Sequence, residues 1–583
     1  MSRPWSPTWR GVVGTSLVIF IAAVACEASA PLTVVDMGWK VQGTDVPTQI
    51  AVQACAGLFN RAAGTPVYVL YDAQDVTLLR SVAGVTTPIT TTSIPAFLAR
   101  CLSQESGIPR TIRYNYTQQQ AIVPNLITLA AVLQAIPLEA DNPAGQEVPV
   151  VFDAVKEFGD LPAANVTAFV YDRYAHATST MAIMDPGYDQ ADGGIFNPTL
   201  NGAPDTRLMD YIVKESLFNF YLVEACVPLT PDHALMQRMV AEDGTDPWPR
   251  PIPTYGYNDV DKLFGGDLFE AETNCVSQHD MGQIASDTAS NLAFFSRGPP
   301  LSQPLQQVPT PDVTYNATKS YVTLVVGDGD NIGMVMGARF EWMTSRVKRC
   351  AHRADGARCY PLVWTLSPQA LHLAPNLTRW FYHQAHQTGA DYFILPPSGD
   401  LYAYPGMMDA ADQARFVNNT QRVARIMNTS GTVDWEWFLT WEHAFNTFFP
   451  LYAAEEIVRG VFAVCVPFML PVLPFLGKHD TYAVIPGNSP SGGNVVVFQP
   501  REWRGTGNTT IPLAQREYYS PTQMAAELNG NPRGTVSYIY LTSDGGANLT
   551  QFDNLVELLD EHVEVVDHET IVQMALQRTK SLA

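Results

Sequence analysis

The polarity pattern of the chain acquires a regular beat near residue 320. From there on, short runs of Val, Leu, Ile and aromatic residues recur, bounded by Gly, Pro, Asn or Asp. Eight runs predict strands: Tyr321–Val326, Pro361–Leu366, Asp391–Leu395, Val433–Leu439, Val461–Val466, Thr481–Ile485, Asn494–Gln499 and Thr535–Leu541. Stretches with helical spacing fall between and after them: Ile332–Val347, Ala374–Gln387, Asp409–Asn428, Pro521–Asn529, Leu549–His562 and Glu569–Arg578. Continuous apolar strands are what a parallel sheet covered on both faces requires. Alternation of such strands with helices predicts an α/β fold, and eight of them fit a (β/α)-barrel-like domain over residues 313–583. An open doubly wound sheet is the rival, because periodicity does not say whether a sheet closes.

Upstream the pattern is mixed. Val46–Ala63 has helical spacing, and Pro66–Asp72, Val148–Asp153 and Asn165–Asp172 read as strands. Leu208–Val223 reads as a helix. Residues 31–297 therefore predict an N-terminal α/β region, with two subdomains dividing near 145. Gly298–Asp312 carries five prolines and predicts a stiff, non-helical linker. Gly460–Gly477 is apolar and uncharged, but Pro467, Pro471 and Pro474 disqualify it as a membrane helix.

The first thirty residues have the form of a signal peptide: Arg3 and Arg10, then the apolar Gly11–Ala25, then Ala28-Ser29-Ala30. Asn115, Asn165, Asn316, Asn376, Asn418, Asn428, Asn508 and Asn548 each head an N-x-[ST] sequon. Together these predict a secreted glycoprotein with no integral membrane segment after signal cleavage. Cys350 and Cys359, in one polar loop, are the favoured disulfide pair; Cys55 with Cys101 and Cys226 with Cys275 are further pairings that spacing alone does not fix.

A formal net charge of -22 argues against nucleic acid, whose phosphates require Lys and Arg, and is compatible with a neutral substrate. Only 16% of residues are charged, against about 25% in an average soluble protein. No G-x-G-x-x-G follows a strand and no G-x-x-x-x-G-K-[ST] occurs, so no cofactor is expected. Asp328-x-Asp330 opens like a calcium loop, but the twelfth position is Arg339 rather than Glu, and no metal is assigned.

The chemistry gathers at the strand ends. Tyr321–Val326 stops at Gly327-Asp328-Gly329-Asp330-Asn331, and loops after the carboxyl ends of strands are where α/β proteins build sites. Trp364 closes the second strand. The third leads into Gly399-Asp400-Leu401-Tyr402-Ala403-Tyr404-Pro405. The fourth contains Glu436 and runs on to Glu442, and the last ends at Ser543-Asp544-Gly545. Several carboxylates among aromatic faces suit glycosidic-bond chemistry. Asp330 is the first candidate for acid, base or nucleophile, with Glu442 or Glu436 as its partner. Asp328, Asn331, Trp364, Asp400, Tyr402, Tyr404 and Asp544 are candidates for substrate contact. Asp328-x-Asp330 equally suits an Asx-stabilised turn, and Glu442 a charge at a helix start.

Gly399, Tyr402, Tyr404 and Pro405 resemble the motif that names the GxGYxYP putative glycoside hydrolase family, with Leu401 where the second glycine stands. Gly-Asp-Gly-Asp-Asn at 327–331, Trp364-Thr-Leu-Ser-Pro368 and Ala374-Pro375 are similar to its C-terminal domain, and Leu58-Phe-Asn-Arg61 before Pro66-Val-Tyr-Val resembles its N-terminal domain. The resemblance implies a glycoside hydrolase with a carbohydrate substrate. A metal-dependent polysaccharide deacetylase and a non-catalytic carbohydrate-binding or cell-surface glycoprotein are the alternatives. Oligomeric state is not readable.

Overall fold

The computed structural model describes residues 32–38, 44–62, 65–104, 108–143, 147–187, 205–241, 248–257, 268–286, 288–351, 359–437, 439–454, 457–466, 481–487, 493–499, 501–503, 519–542 and 548–582. The signal-peptide stretch, Asn508 and Asp544 lie outside them.

The molecule is α/β with mostly parallel sheets. Among the described residues the N-terminal region holds three. β1 (Thr33–Asp36), β2 (Val67–Leu70) and β3 (Thr91–Thr92) form the first, in order β2-β1-β3. β4 (Thr111–Tyr114), β5 (Ile136–Glu139) and β6 (Val150–Asp153) form the second, in order β5-β4-β6. A division near residue 145 falls inside this sheet, between β5 and β6. β7 (Met181–Met184), β8 (Phe218–Phe220), β9 (Ile252–Tyr257) and β10 (Met281–Ile284) form the third, in order β10-β9-β7-β8.

Two sequence expectations change here. The stretch expected as a strand over Asn165–Asp172 is part of the helix Ala163–Tyr174. Its buried Val166 and Val170 are four residues apart, a spacing that suits a helix face as well as one side of a strand. The helix expected over Leu208–Val223 covers only Met209–Glu215, ends at Ser216 with φ 55°, and gives way to β8.

In the C-terminal region β11 (Ser320–Val326), β12 (Leu362–Thr365) and β13 (Asp391–Ile394) are parallel neighbours. β14 (Gly431–Trp437), β15 (Gly460–Val466), β16 (Tyr482–Pro486) and β17 (Asn494–Phe498) form a second group, in order β14-β15-β17-β16. β18 (Glu502–Trp503) and β19 (Val536–Leu541) extend the first group beyond β11, and β20 (Val563–Val565) also pairs with β11. The described ladder is thus two sheets, joined by a bridge between Leu395, just past β13, and Thr432 on β14. β16 runs antiparallel to β17 and occupies the edge of its sheet. The sheets face each other where Phe462 of β15 meets Tyr538 of β19, ring centroids 5.3 Å apart.

The proline-rich stretch 298–312 is non-helical, and it docks along the C-terminal region. Leu301 N–H donates to Leu371 O, Leu305 N–H to Ile426 O, and Gln307 exchanges hydrogen bonds with the backbone of Phe393. Buried side chains of both regions form one contiguous cluster.

Three cysteine pairs are joined: Cys55–Cys101, Cys226–Cys275 and Cys350–Cys359. Of the sequon asparagines, Asn165, Asn316, Asn376, Asn418 and Asn428 are exposed, while Asn115 and Asn548 are half-buried and cap helices. Among the described residues no helix is long and apolar enough to cross a membrane.

Candidate functional site

The loop after β11 is built by close packing. A Cβ on Gly329 would lie 1.9 Å from Thr365 O, and one on Gly327 would lie 2.5 Å from the Tyr540 ring, so both positions need bare backbone. The left-handed turn itself falls on Asp328, with φ 59°, and not on either glycine. Thr365 Oγ1 accepts from Gly329 N–H at 2.9 Å, and Tyr540 Oη accepts from Asp328 N–H at 3.1 Å. The helical stretch that follows contains a π turn at Val335–Arg339, a feature frequent at functional sites. Arg339, at its end, is buried. It donates through Nε to Gly327 O and through Nη2 to Asp328 Oδ2, each at 2.9 Å, and lies 4.3 Å over the Trp342 ring. A guanidinium thus stands against the acidic loop. Asp328 and Asp330 are half-buried and close enough to Arg339 and Tyr540 to act on both charges.

A polar chain connects this loop to the end of β13. Gly329 O accepts from Ser367 N–H, Ser367 Oγ from Gln369 N–H, and Gln369 Nε2 donates to Asp400 at its backbone oxygen (2.6 Å) and Oδ1 (3.2 Å). Asp400 is 8% exposed, and burial pushes its carboxyl up to about 6 against the opposing effects of Arg422 and the Gln369 hydrogen bond.

The Gly399–Pro405 loop does something the sequence did not suggest: it fastens the N-terminal region to the C-terminal one. Tyr402 and Gln283 of β10 exchange both backbone hydrogen bonds, at 2.9 and 2.8 Å, and Tyr404 N–H donates to Ser277 Oγ at 2.8 Å. Leu401 packs on Gly282, where an added Cβ would stand 2.5 Å from that of Leu401. The leucine in place of the motif's second glycine is therefore accommodated by a glycine on the opposite strand. Two residues past Gln283, Ala285 O accepts from Ile332 N–H at 2.8 Å, so one N-terminal segment touches the loops after both β11 and β13.

Several candidates for substrate contact are held in other roles. Trp364 is buried and donates to Asp391 Oδ1 at 2.7 Å, so its ring is core and offers no face to a ligand. Tyr402 and Tyr404 are buried beneath Trp435 and Trp437. Asn331 caps the following helix, accepting from Met334 N–H at 3.0 Å. Glu442 is exposed in the first turn of the helical stretch after β14, the position a helix-start charge would take.

Glu436 is on the wrong side of its strand for the role expected of it. Val433 pairs in register with Phe462, which faces Tyr538; alternation puts Trp435 and Trp437 on that same side. Asp434 and Glu436 take the opposite side, under the helices Ala410–Met427 and Phe449–Tyr452. Both are fully buried. Glu436 Oε1 accepts from Gly406 N–H at 2.5 Å, and neither carboxyl oxygen of Asp434 has a hydrogen-bond partner among the described residues. Burial raises both above the ordinary carboxylate range, and the Glu436 carboxyl adds to the rise at Asp434. Thr440 Oγ1 lies within hydrogen-bonding distance of both Glu436 Oε2 and the Trp437 carbonyl. Thr440 donates to both, sharing its one hydrogen between them.

A cluster of acids also occurs between the regions: Asp280, Asp409 and Asp412 hold carboxylate oxygens within 4.8 Å of one another. Arg250 and Arg415 supply the positive charge there.

Sequence reading passed over Arg339, Gln369, Trp435 and Trp437. The two tryptophans had a signal, since D-W-E-W alternation forces the acids and the indoles to opposite sides of any strand. The arginine had little, because its contact with Asp328 depends on the turn of a helix.

These features define an α/β protein with an acidic, arginine-buttressed loop at the strand ends and a second region closing over it. Residues 318–442 match the family model described as the GxGYxYP putative glycoside hydrolase C-terminal domain. The whole fold is similar to the crystal structure of a putative hydrolase from Bacteroides thetaiotaomicron, with a TM-score of 0.69 and 18% sequence identity over 94% of this chain and 95% of that one. At that identity the likeness is one of fold. No curated protein matches the chain.

Proposed function

We propose that the protein is a secreted glycoside hydrolase that cleaves a neutral glycan with two carboxyl groups at the strand ends of its C-terminal region. The observation that carries this reading is the contrast between Asp330, beside the Arg339 guanidinium, and Asp400, which burial keeps protonated up to about pH 6. Such enzymes work with two carboxyl groups, one of which gives a proton to the leaving oxygen. In this reading Asp330 acts as base or nucleophile and Asp400 gives a proton to the leaving oxygen. Asp328, tied to Arg339, positions the loop. Glu442 is the rival partner for Asp330, because its exposure leaves it free to reach a bound glycan. Glu436 is not proposed again, since its strand face is covered. The Phe462–Tyr538 contact favours treating the two C-terminal sheets as the walls of an irregular (β/α) barrel. Three joined cysteine pairs favour an oxidising, extracellular setting.

The test is release of reducing ends from a panel of neutral glycans by wild type, Asp330→Asn, Asp400→Asn and Glu442→Gln. The proposal expects loss of turnover in the first two with the fold intact. It also expects wild-type activity to fall as pH rises through about 6, where Asp400 gives up its proton. Loss in Glu442→Gln with Asp400→Asn active would reassign the acid. Glycan binding without bond cleavage would favour the non-catalytic alternative.

A further inference from the structure

We infer that Trp435 and Trp437 form a platform for a sugar ring away from the bond being cleaved, and that the substrate is accordingly an oligosaccharide or polymer. The inference rests on the glycosidase reading for the chemistry of its ligand, and on separate observations for its location.

Both indoles project from the side of β14 that faces the other sheet, at its carboxyl end, and both residues are half-buried while the neighbouring acids are fully buried. They are braced from behind. The Tyr402 ring meets Trp435 edge-on at 5.2 Å, and the Tyr404 ring lies 6.1 Å from Trp437 and 6.5 Å from Trp435. Those tyrosines are themselves pinned by backbone bonds to Gln283 and Ser277. Ser398 Oγ accepts from Trp435 N–H at 2.8 Å, fixing the strand at the same level. Two indoles held this firmly, each on a half-buried residue, present apolar surface to the C–H face of a pyranose at little entropic cost. Carboxylates predominate around the strand ends and the chain is strongly acidic, which selects a neutral ring over an anionic one.

The location sets the substrate length. β14 lies three strands from β11, so at ~4.8 Å per strand the platform stands roughly 14 Å along the sheet from the Asp330 loop. The Asp400 loop is one strand from the platform, so a bond held between Asp330 and Asp400 leaves the platform to a ring beyond it on the Asp400 side.

The experiment measures binding as a function of chain length in an Asp330→Asn background, by calorimetry, using neutral gluco-, manno-, xylo- and galacto-oligosaccharides of two to six units. The inference expects at least one series whose six-unit member binds tenfold or more tighter than its two-unit member. That gain disappears in Trp437→Ala and Trp435→Ala and is partly kept in Trp437→Phe, with circular dichroism and melting temperature unchanged. A length dependence that survives both alanine variants overturns the platform, as does a wild-type preference for the two-unit sugar. Binding by no series overturns it as well. The glycosidase reading fails separately, if the wild-type enzyme binds these oligosaccharides and releases no reducing ends.

Discussion

Two pairs of acids in this chain share one spacing and meet opposite fates. Asp328 and Asp330 stand two residues apart just past β11, half-buried, beside a buried arginine. Asp434 and Glu436 stand two residues apart within β14, fully buried, with a threonine and one backbone N–H for company. The first pair has a cation and solvent; the second has neither among the described residues, and burial pushes its carboxyls above the ordinary carboxylate range. Position relative to the strand end, and side relative to the sheet, decide which pair can do chemistry on a solute. Charge count and spacing do not.

The largest effect that sharpens this contrast is on turnover. Asp330→Asn is expected to lose roughly a thousandfold in rate, in the range that positioned acid–base groups supply. Glu436→Gln is expected to stay near wild type; both are read on whichever glycan of the panel is cleaved. Arg339→Ala follows. It leaves Gly327 O and Asp328 without their donor and empties a buried site, for a loss of about 3–5 kcal/mol in chemical denaturation. Gly282→Ala should cost about 1–3 kcal/mol by overpacking against Leu401, and Leu401→Ala in the same chain should restore part of it. The last effect is a slope. Because burial raises the Asp434 and Glu436 carboxyls in the folded state, the folded chain binds more protons than the unfolded one above the ordinary carboxylate range. Stability therefore falls as pH rises through that window and levels off once both have ionised. The double variant Asp434→Asn, Glu436→Gln should flatten the fall, as read by melting temperature from pH 5 to 9.

The strand Tyr321–Val326 was legible because it is a continuous apolar run that stops at Gly327; the predicted Tyr321–Val326 and the observed Ser320–Val326 differ by one residue. Asn165–Asp172 misled because Val166 and Val170 satisfy both helical and strand periods. The location of the candidate site was readable at Gly327–Asn331. Its membership was not. A one-residue change of side separates Trp435 from Glu436, and only tertiary packing says which side faces the opposite sheet. The motif tyrosines suggested sugar contact, yet Gln283 and Ser277, more than a hundred residues upstream, hold their backbone. A glycine at 282 answering a leucine at 401 is invisible until two distant strands are laid together.

Protonation of the buried pair is open to direct observation by infrared spectroscopy, as the difference at pH 7 between wild type and the Asp434→Asn, Glu436→Gln variant. The account predicts a carboxylic-acid C=O band in the wild type that the variant lacks, with no matching carboxylate loss. A difference spectrum showing carboxylate bands instead would mean that the β14 acids are ionised, and the contrast between the two pairs would collapse.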